Sequence, residues 1–235
     1  MAVVPRSLPL RLVQLLVGLA LYGVGIGLMV EGALGVAPWD VLNQGLARTT
    51  GLEFGVCMFL VSLGIFILWI PLRQRPGIGT VLNILLVPLA SQATIWLLPT
   101  PDALWLRIVF LAVGLWTIGV ATGIYLGADF GPGPRDGLMT GLHARTGWPI
   151  WLVRTLLEVL VVATGWLLGG DAWVGTLAFA LLIGPIVHLA MPWFAPRGTN
   201  ARDEPGEEPD EPAAEGVVPA EEPDDPDQPT RRIGR

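Results

Sequence analysis

The chain has few charged residues, a single cysteine and no lysine. Only 14% of its 235 residues are Asp, Glu, Lys or Arg, whereas soluble globular domains carry about a quarter, so an ordinary soluble domain is excluded. The lone Cys57 excludes a disulfide framework, and no basic stripe suited to nucleic acid is present. The sequence contains no H-E-x-x-H, G-x-S-x-G or P-loop motif. We therefore expect neither an enzyme nor a bound cofactor or metal.

Long uncharged apolar runs make up most of the remaining sequence. Apolar residues account for 52% of the chain, and about 20 of them in succession cross a bilayer as a helix, which satisfies every backbone polar group. We predict an all-α polytopic membrane protein in contact with the lipid bilayer. Its six transmembrane helices are predicted at 12–30, 54–72, 78–98, 106–127, 150–168 and 173–194.

The arginines predict how the chain lies across the membrane. With a cytoplasmic N-terminus, eight arginines fall on the cytoplasmic side and only Arg48 and Arg107 fall outside, as the positive-inside rule requires. Both termini are therefore predicted to be cytoplasmic. We assign residues 1–11 to a cytoplasmic N-terminus and residues 196–235 to a disordered, acidic, Pro-rich tail, because such a composition cannot bury enough apolar surface to become ordered.

The membrane part contains an internal repeat. Residues 17–51 and 113–147 are identical at 14 of 35 positions without a gap, and the shared positions include a G-x-x-P-x-D motif that apolar composition alone does not produce. The repeat divides the chain into three-helix units at 12–98 and 106–195. An odd number of spans reverses the second unit, so we predict two inverted three-helix repeats. Secondary transporters use this arrangement and bind solutes near the repeat interface.

Several stretches, in order along the chain, resemble one bacterial family. They are GVAPWDVLNQGLARTTG, WIPLRQRPGIGT, GPGPRDGLMTGL, VRTLLEVLVVATGWLLGG and VGTLAFALLIGP. These stretches are similar to those of the YczE/YitT-type integral membrane proteins, and the resemblance covers about residues 10–195. It implies a multi-pass protein of the bacterial cytoplasmic membrane and implies no particular reaction.

The repeated G-x-x-P-x-D motif marks two helix breaks. Pro38 and Pro134 cannot continue a preceding helix, and Asp40 and Asp136 are suited to N-cap a short helix that follows. One interpretation is structural, a capped interfacial or re-entrant helix in each repeat. The other is two sites, one on each side of the membrane, where a helix N-terminus binds an anion or a carboxylate binds a cation or proton. Arg135 is then either a selector of anions on the inner side or a positive-inside anchor.

Arg154 and Glu158 are charged residues inside the fifth predicted span. They are four residues apart and therefore share one helix face. Ionisable groups inside a membrane are costly and usually face the bundle interior or a water-filled cavity. The pair is either a structural ion pair or part of a pathway in which Glu158 relays a proton or balances a substrate charge.

Prolines interrupt two further spans near their middle. Pro88 lies in the third span, and Gly184 with Pro185 lies in the sixth. A proline in a helix removes a backbone donor and frees a carbonyl group. These positions are therefore predicted helix breaks, which are either tolerated kinks or parts of a gate or ion site.

Two G-x-x-x-G motifs predict close contact between helices. They are formed by Gly23 with Gly27 and by Gly119 with Gly123, and small residues at this spacing let helix backbones approach. We predict that the first and fourth spans cross tightly at the pseudo-two-fold axis. The same small-residue faces permit a homo-oligomer.

Taken as a whole, the sequence favours a secondary-transporter-like carrier of a small polar or ionic solute. The alternative is a non-transporting membrane scaffold or assembly factor that acts through its loops or acidic tail. A carrier should depend on Glu158, whereas a scaffold should depend on residues 197–235. The residues predicted to lie along a pathway are Asp40, Asp136, Arg135, Arg154 and Glu158.

Overall fold

The computed structural model describes residues 7–194, and all regular structure in that range is helical. Its helices are α1 (Leu8–Gly32), α2 (Pro38–Thr50), α3 (Phe54–Leu72), α4 (Ile78–Leu97), α5 (Leu104–Leu126), α6 (Pro134–Thr146), α7 (Ile150–Leu167) and α8 (Val174–Phe194). Six of these helices, all but α2 and α6, are long and apolar enough to cross a membrane. The predicted all-α polytopic membrane fold is thus confirmed. The predicted tail at 196–235 and residues 1–6 of the predicted N-terminal segment lie outside the described residues.

Five of the predicted spans agree with the helices to within two residues, and the first does not. α1 begins at Leu8 rather than at residue 12. Pro9 stands in its first turn, where a proline is compatible with a helix start. Arg11 lies inside α1, and its Nε donates to the carbonyl oxygen of Ala128 at 3.0 Å.

Every described helix of the first half has a counterpart in the second half. The paired helices begin 96 residues apart, at Leu8 and Leu104, Pro38 and Pro134, Phe54 and Ile150, and Ile78 and Val174. The short helices α2 and α6 also end at equivalent residues. Gly51 and Gly147 follow them in a left-handed conformation, with φ of 74° and 71°, as is common for glycine after a helix. The internal repeat therefore extends to the boundaries of the helices.

Equivalent helices pack in equivalent ways. α1 packs on α4 as α5 packs on α8, and each short helix contacts a long helix of the other half, α2 with α7 and α6 with α3. The most extensive contact joins α1 to α5. Leu19, Ile26 and Ile118 are almost fully buried in the apolar cluster at this contact.

Polar contacts define two ends of the bundle. At one end Arg48 of α2 forms an ion pair with Asp171 at 2.6 Å, and at the other Arg145 of α6 donates to the carbonyl oxygen of Pro71. We call these the Arg48 end and the Arg145 end. The C-terminus of α1 meets the N-terminus of α5 at the Arg48 end, and their other termini meet at the Arg145 end. The repeat-related helices α1 and α5 therefore run antiparallel.

Candidate functional site

A cavity of about 380 Å³ lies inside the bundle, and residues from all eight described helices line it. Its polar lining comes from the charged residues discussed below and from five uncharged ones, Tyr22, Ser62, Asn83, Thr122 and Tyr125. An internal cavity with a few convergent polar groups is the usual location of a small-molecule site. Among residues 7–194, no group of His, Cys, Asp and Glu side chains is arranged to hold a metal ion.

The cavity lies at the interface of the repeats. Eight pairs of lining residues are equivalent positions, 96 residues apart. The two members of a pair often differ, so that the wall from the second half carries more charge. The pairs are Ala37 and Gly133, Pro38 and Pro134, Trp39 and Arg135, Met58 and Arg154, Ser62 and Glu158, Asn83 and Phe179, Val87 and Ile183, and Pro88 and Gly184.

The two G-x-x-P-x-D motifs meet at this cavity. Pro38 and Pro134 begin α2 and α6, as predicted. The prediction that Asp40 and Asp136 are N-caps is wrong: the N-caps are Ala37 and Gly133, and both aspartates lie in the first helical turn, because the helices already start at the prolines. The motifs border one shared cavity rather than two sites on opposite sides, since both short helices direct their N-termini into the bundle.

Asp40 holds Arg135 across the repeat interface. Arg135 donates to Asp40 Oδ1 at 3.2 Å, and Asn43 donates to the same oxygen at 3.1 Å. Asp40 is 1% exposed, and this burial raises the pKa of its carboxyl group, an effect that Arg135 partly offsets. The guanidinium of Arg135 also lies 5.4 Å from the ring centre of Trp39. Arg135 is therefore fixed at the cavity wall, and Asp40 lies behind it.

Asp136 is the lining carboxylate that is left without a cationic partner in the described part of the chain. The hydroxyl of Tyr125 donates to its Oδ2 at 3.5 Å. The surrounding protein desolvates the carboxyl group of Asp136 and raises its pKa above the ordinary value, and nearby Arg135 offsets part of that rise. When ionised, Asp136 offers the cavity a negative charge.

Arg154 and Glu158 both line the cavity from α7. Arg154 Nε donates to Glu158 Oε1 at 3.0 Å, and the side chains are 57% and 30% exposed. The predicted ion pair between these residues is present, and it lies at the cavity wall. Because Asp40 with Arg135 and Glu158 with Arg154 form neutral pairs, the charged groups at the cavity sum to the one negative charge of Asp136.

The interior prolines do not break their helices. α4 continues through Pro88 and α8 continues through Pro185, contrary to the predicted interruptions. A single missing N–H leaves the remaining hydrogen bonds of a long helix in place. Pro88 and Gly184 line the cavity.

The predicted G-x-x-x-G glycines do provide close contacts, but with other helices than expected. A Cβ on Gly23 would lie 2.5 Å from the carbonyl oxygen of Val87 in α4, and Gly119 and Gly123 face α8 in the same way. The predicted tight crossing of α1 and α5 is present, but Gly18, Gly25 and Gly114 form it. The remaining glycine of the motifs, Gly27, faces Thr94 of α4.

The aromatic residues of the cavity, Tyr22, Trp39, Tyr125 and Phe179, were not among the predicted site residues. Tyr22 and Tyr125 meet edge to face with ring centres 6.0 Å apart. Trp39 is 6% exposed, and its indole N–H has no hydrogen-bond partner in the described structure. Trp39 stands next to Pro38 in the repeated motif, at the position equivalent to Arg135, so the repeat contains a signal that points to it.

Comparison with known proteins identifies the family of the chain. Residues 9–192 match a family described as "Family of unknown function (DUF6198)". The chain belongs to this DUF6198 family. It is 42% identical over 174 residues to an uncharacterised protein of Haemophilus influenzae, which covers 74% of this chain and 80% of the relative.

Two proteins of Bacillus subtilis are also similar to this DUF6198 chain. The uncharacterised membrane protein YczE is 31% identical over 189 residues, covering 80% of this chain and 88% of YczE. The uncharacterised protein YyaS is 27% identical over 182 residues, covering 75% and 90%. The expected YczE-type membrane family is thereby confirmed. No solved structure matches the chain.

Proposed function

We propose that this membrane protein is a secondary-transporter-like carrier of a small polar or ionic solute, and not an enzyme. The observation that carries the proposal is the cavity at the repeat interface, which repeat-related residues line from both halves. Carriers built from repeats bind solutes at such an interface and expose the site to each side in turn.

We further propose that the two halves are inverted in the membrane. The antiparallel packing of α1 and α5 supports this, as does the location of the α2 and α6 C-termini at opposite ends of the bundle. Most arginines near the span ends belong to the Arg145 end. The positive-inside rule then assigns the Arg145 end, and both termini, to the cytoplasm of a bacterial cell.

The cavity favours a solute with a positive charge. Asp136 supplies the negative charge that remains after the two ion pairs are counted. Tyr22 and Tyr125 line the same space, and aromatic faces attract cations.

Cysteine accessibility tests the carrier. Cys57 is replaced by Ser, and Ser62, which is buried at the cavity wall, is replaced by Cys. Intact cells and inside-out vesicles are treated with a membrane-impermeant methanethiosulfonate reagent. A carrier that alternates should expose Ser62→Cys to both sides.

A matched control comes from the same helix. Gly64 lies two residues further along α3 and is exposed on the outside of the bundle, with no heavy atom within 4 Å of a Cβ built there. In a membrane, Gly64→Cys should face lipid and react slowly from either side. If Ser62→Cys reacts from one side only, or from neither, the carrier is contradicted and the scaffold is favoured.

A further inference from the structure

The two halves differ in the way their last two helices pack. α3 and α4 contact each other closely, whereas the equivalent α7 and α8 make almost no contact with each other in the described structure. The buried share of the most apolar 18-residue window is 33% in α3 and 44% in α4. In the equivalent helices it is only 17% for α7 and 22% for α8. The second half therefore has a cleft where the first half is closed.

The difference arises because α3 has a glycine at the position where α7 has a tryptophan. A Cβ on Gly55 of α3 would lie 2.8 Å from the carbonyl oxygen of Pro88, and the Gly55 N–H donates to Gln92 Oε1 at 2.7 Å. The equivalent residue of α7 is Trp151, which is 68% exposed. An indole prevents the backbone approach that glycine allows. In α8, the residue equivalent to Pro88 is Gly184, and a Cβ built on Gly184 would meet no heavy atom within 4 Å.

The cleft is continuous with the cavity. Arg154 and Glu158 line the cavity from α7, and Gly184 lines it from α8. The exposed residues elsewhere on α7 and α8 are largely apolar, for example Leu160 and Leu181. A charged cavity thus opens sideways through an apolar cleft between two helices, at a depth where the acyl chains of a bilayer lie.

We infer that the carried solute is an amphiphile that enters from the bilayer between α7 and α8, with an ammonium-bearing head in the cavity and its apolar chain in the cleft. The ammonium of such a head faces Asp136, and Tyr22 and Tyr125 line the cavity beside it. The inference rests on the proposed carrier and specifies that the ionic group it binds is the head of an amphiphile.

Two probes that differ only in the apolar chain test the inference. Full-length protein with Cys57→Ser and Ser62→Cys is reconstituted in proteoliposomes, and the rate of thiol labelling is measured with phosphocholine or with dodecylphosphocholine below its micellar concentration. Membrane partition concentrates the chain-bearing probe at the cleft, so we expect it to slow labelling by about tenfold more than the head alone.

Filling the cleft provides the matched pair of variants. Gly184→Phe should abolish protection by dodecylphosphocholine, measured relative to the unprotected labelling rate of the same variant. Gly64→Phe, at a glycine that is equally open but on the closed side of the fold, should leave protection intact. Thermal unfolding checks that both variants fold, and Gly184→Val replaces Gly184→Phe if the latter does not.

Three results of the labelling experiment would overturn the inference and leave the carrier standing. They are equal protection by the two probes, no protection by either, and protection that survives Gly184→Phe. A native mass spectrum in which Gly184→Phe dissociates a dimer would also overturn it, because a second copy would then cover the cleft. Failure of the carrier itself is recognised separately, since Ser62→Cys would then not react from both sides of the membrane.

Discussion

Arg135 and Asp40 are 95 residues apart in the chain and only 3.2 Å apart in the structure. Their ion pair joins the first turn of α6 to the first turn of α2, directly beside the cavity. Each residue belongs to one copy of the repeated motif, but the pair itself is not repeated, because Trp39 stands where the second copy has Arg135. The two halves are therefore connected at their centre by an asymmetric contact.

Breaking this ion pair should destabilise the protein. Asp40→Asn leaves Arg135 without its counter-charge in a largely buried position, and removal of one partner of a buried pair costs about 3 kcal/mol. Asp129→Asn is the matched control, because the pair of Asp129 with Arg11 is exposed and such pairs contribute about 0–1 kcal/mol. The free energy of unfolding of the purified protein measures both. Equal effects of the two variants would show that the buried pair contributes no more than a surface pair.

The sequence was sufficient for the helices but not for the site. Long uncharged runs predicted six spans, and the repeated G-x-x-P-x-D motif predicted both short helices. It did not predict that the short helices direct their N-termini into one cavity. That arrangement depends on how residues 33–37 and 129–133 fold back, and no local pattern specifies it.

The contacts of individual glycines were also beyond sequence reasoning. The G-x-x-x-G spacing identifies a face of a helix but not its neighbour, so the motifs on α1 and α5 were assigned to the wrong partners. Trp151, by contrast, differs from its repeat equivalent Gly55 in the sequence itself. Such differences between equivalent positions indicate where the two halves stop being alike.

Close backbone contact between α1 and α5 predicts a specific sensitivity to added volume. A Cβ on Gly25 would lie 2.7 Å from Ile118 Cγ1 and 2.8 Å from the carbonyl oxygen of Gly114. Gly25→Ala should therefore destabilise the fold by about 1–3 kcal/mol. Gly64→Ala adds the same methyl group in open space and should be neutral or slightly stabilising, because alanine favours helices. Similar unfolding temperatures for the two variants would contradict the close crossing.

Binding of a positively charged head at Asp136 should weaken as the pH falls. Desolvation by the surrounding protein raises the pKa of this carboxyl group, so protonation removes its charge at a higher pH than for an ordinary Asp. Arg135, Arg154, Glu158 and Tyr125 surround it. Protection of Ser62→Cys by dodecylphosphocholine, taken relative to the unprotected rate at each pH, should fall as the pH is lowered through that range. The same curve for Asp136→Asn should be weak and flat; a pH dependence that survives in Asp136→Asn would assign the titration to another group.

Substitutions of Arg154 and of Glu158 should change the affinity for dodecylphosphocholine in opposite directions. Glu158→Gln leaves an uncompensated positive charge at the cavity and should weaken protection by dodecylphosphocholine several-fold, whereas Arg154→Gln should strengthen it. Both variants should fold, because an exposed i, i+4 pair contributes only about 0.3–0.5 kcal/mol. Deletion of 197–235 is the control that separates carrier from scaffold, since a carrier should keep its protection without the tail. If both substitutions leave protection unchanged, the pair is structural and the charge count at the cavity does not govern binding.

The most direct test of the inverted repeat uses the two glycines that end the short helices. Gly51 and Gly147 are exposed equivalent positions, and a Cβ on either meets no heavy atom within 4 Å. α2 and α6 are too short to cross a bilayer of about 30 Å at about 1.5 Å per residue, so the helix ends report the side from which each re-enters. In the Cys57→Ser background, a membrane-impermeant thiol reagent on intact cells should label Gly51→Cys but not Gly147→Cys, and the pattern should reverse in inside-out vesicles. Labelling of both cysteines from one side would place the two halves in the same orientation, and the cavity would then lose the pseudo-symmetric pathway on which alternating access depends.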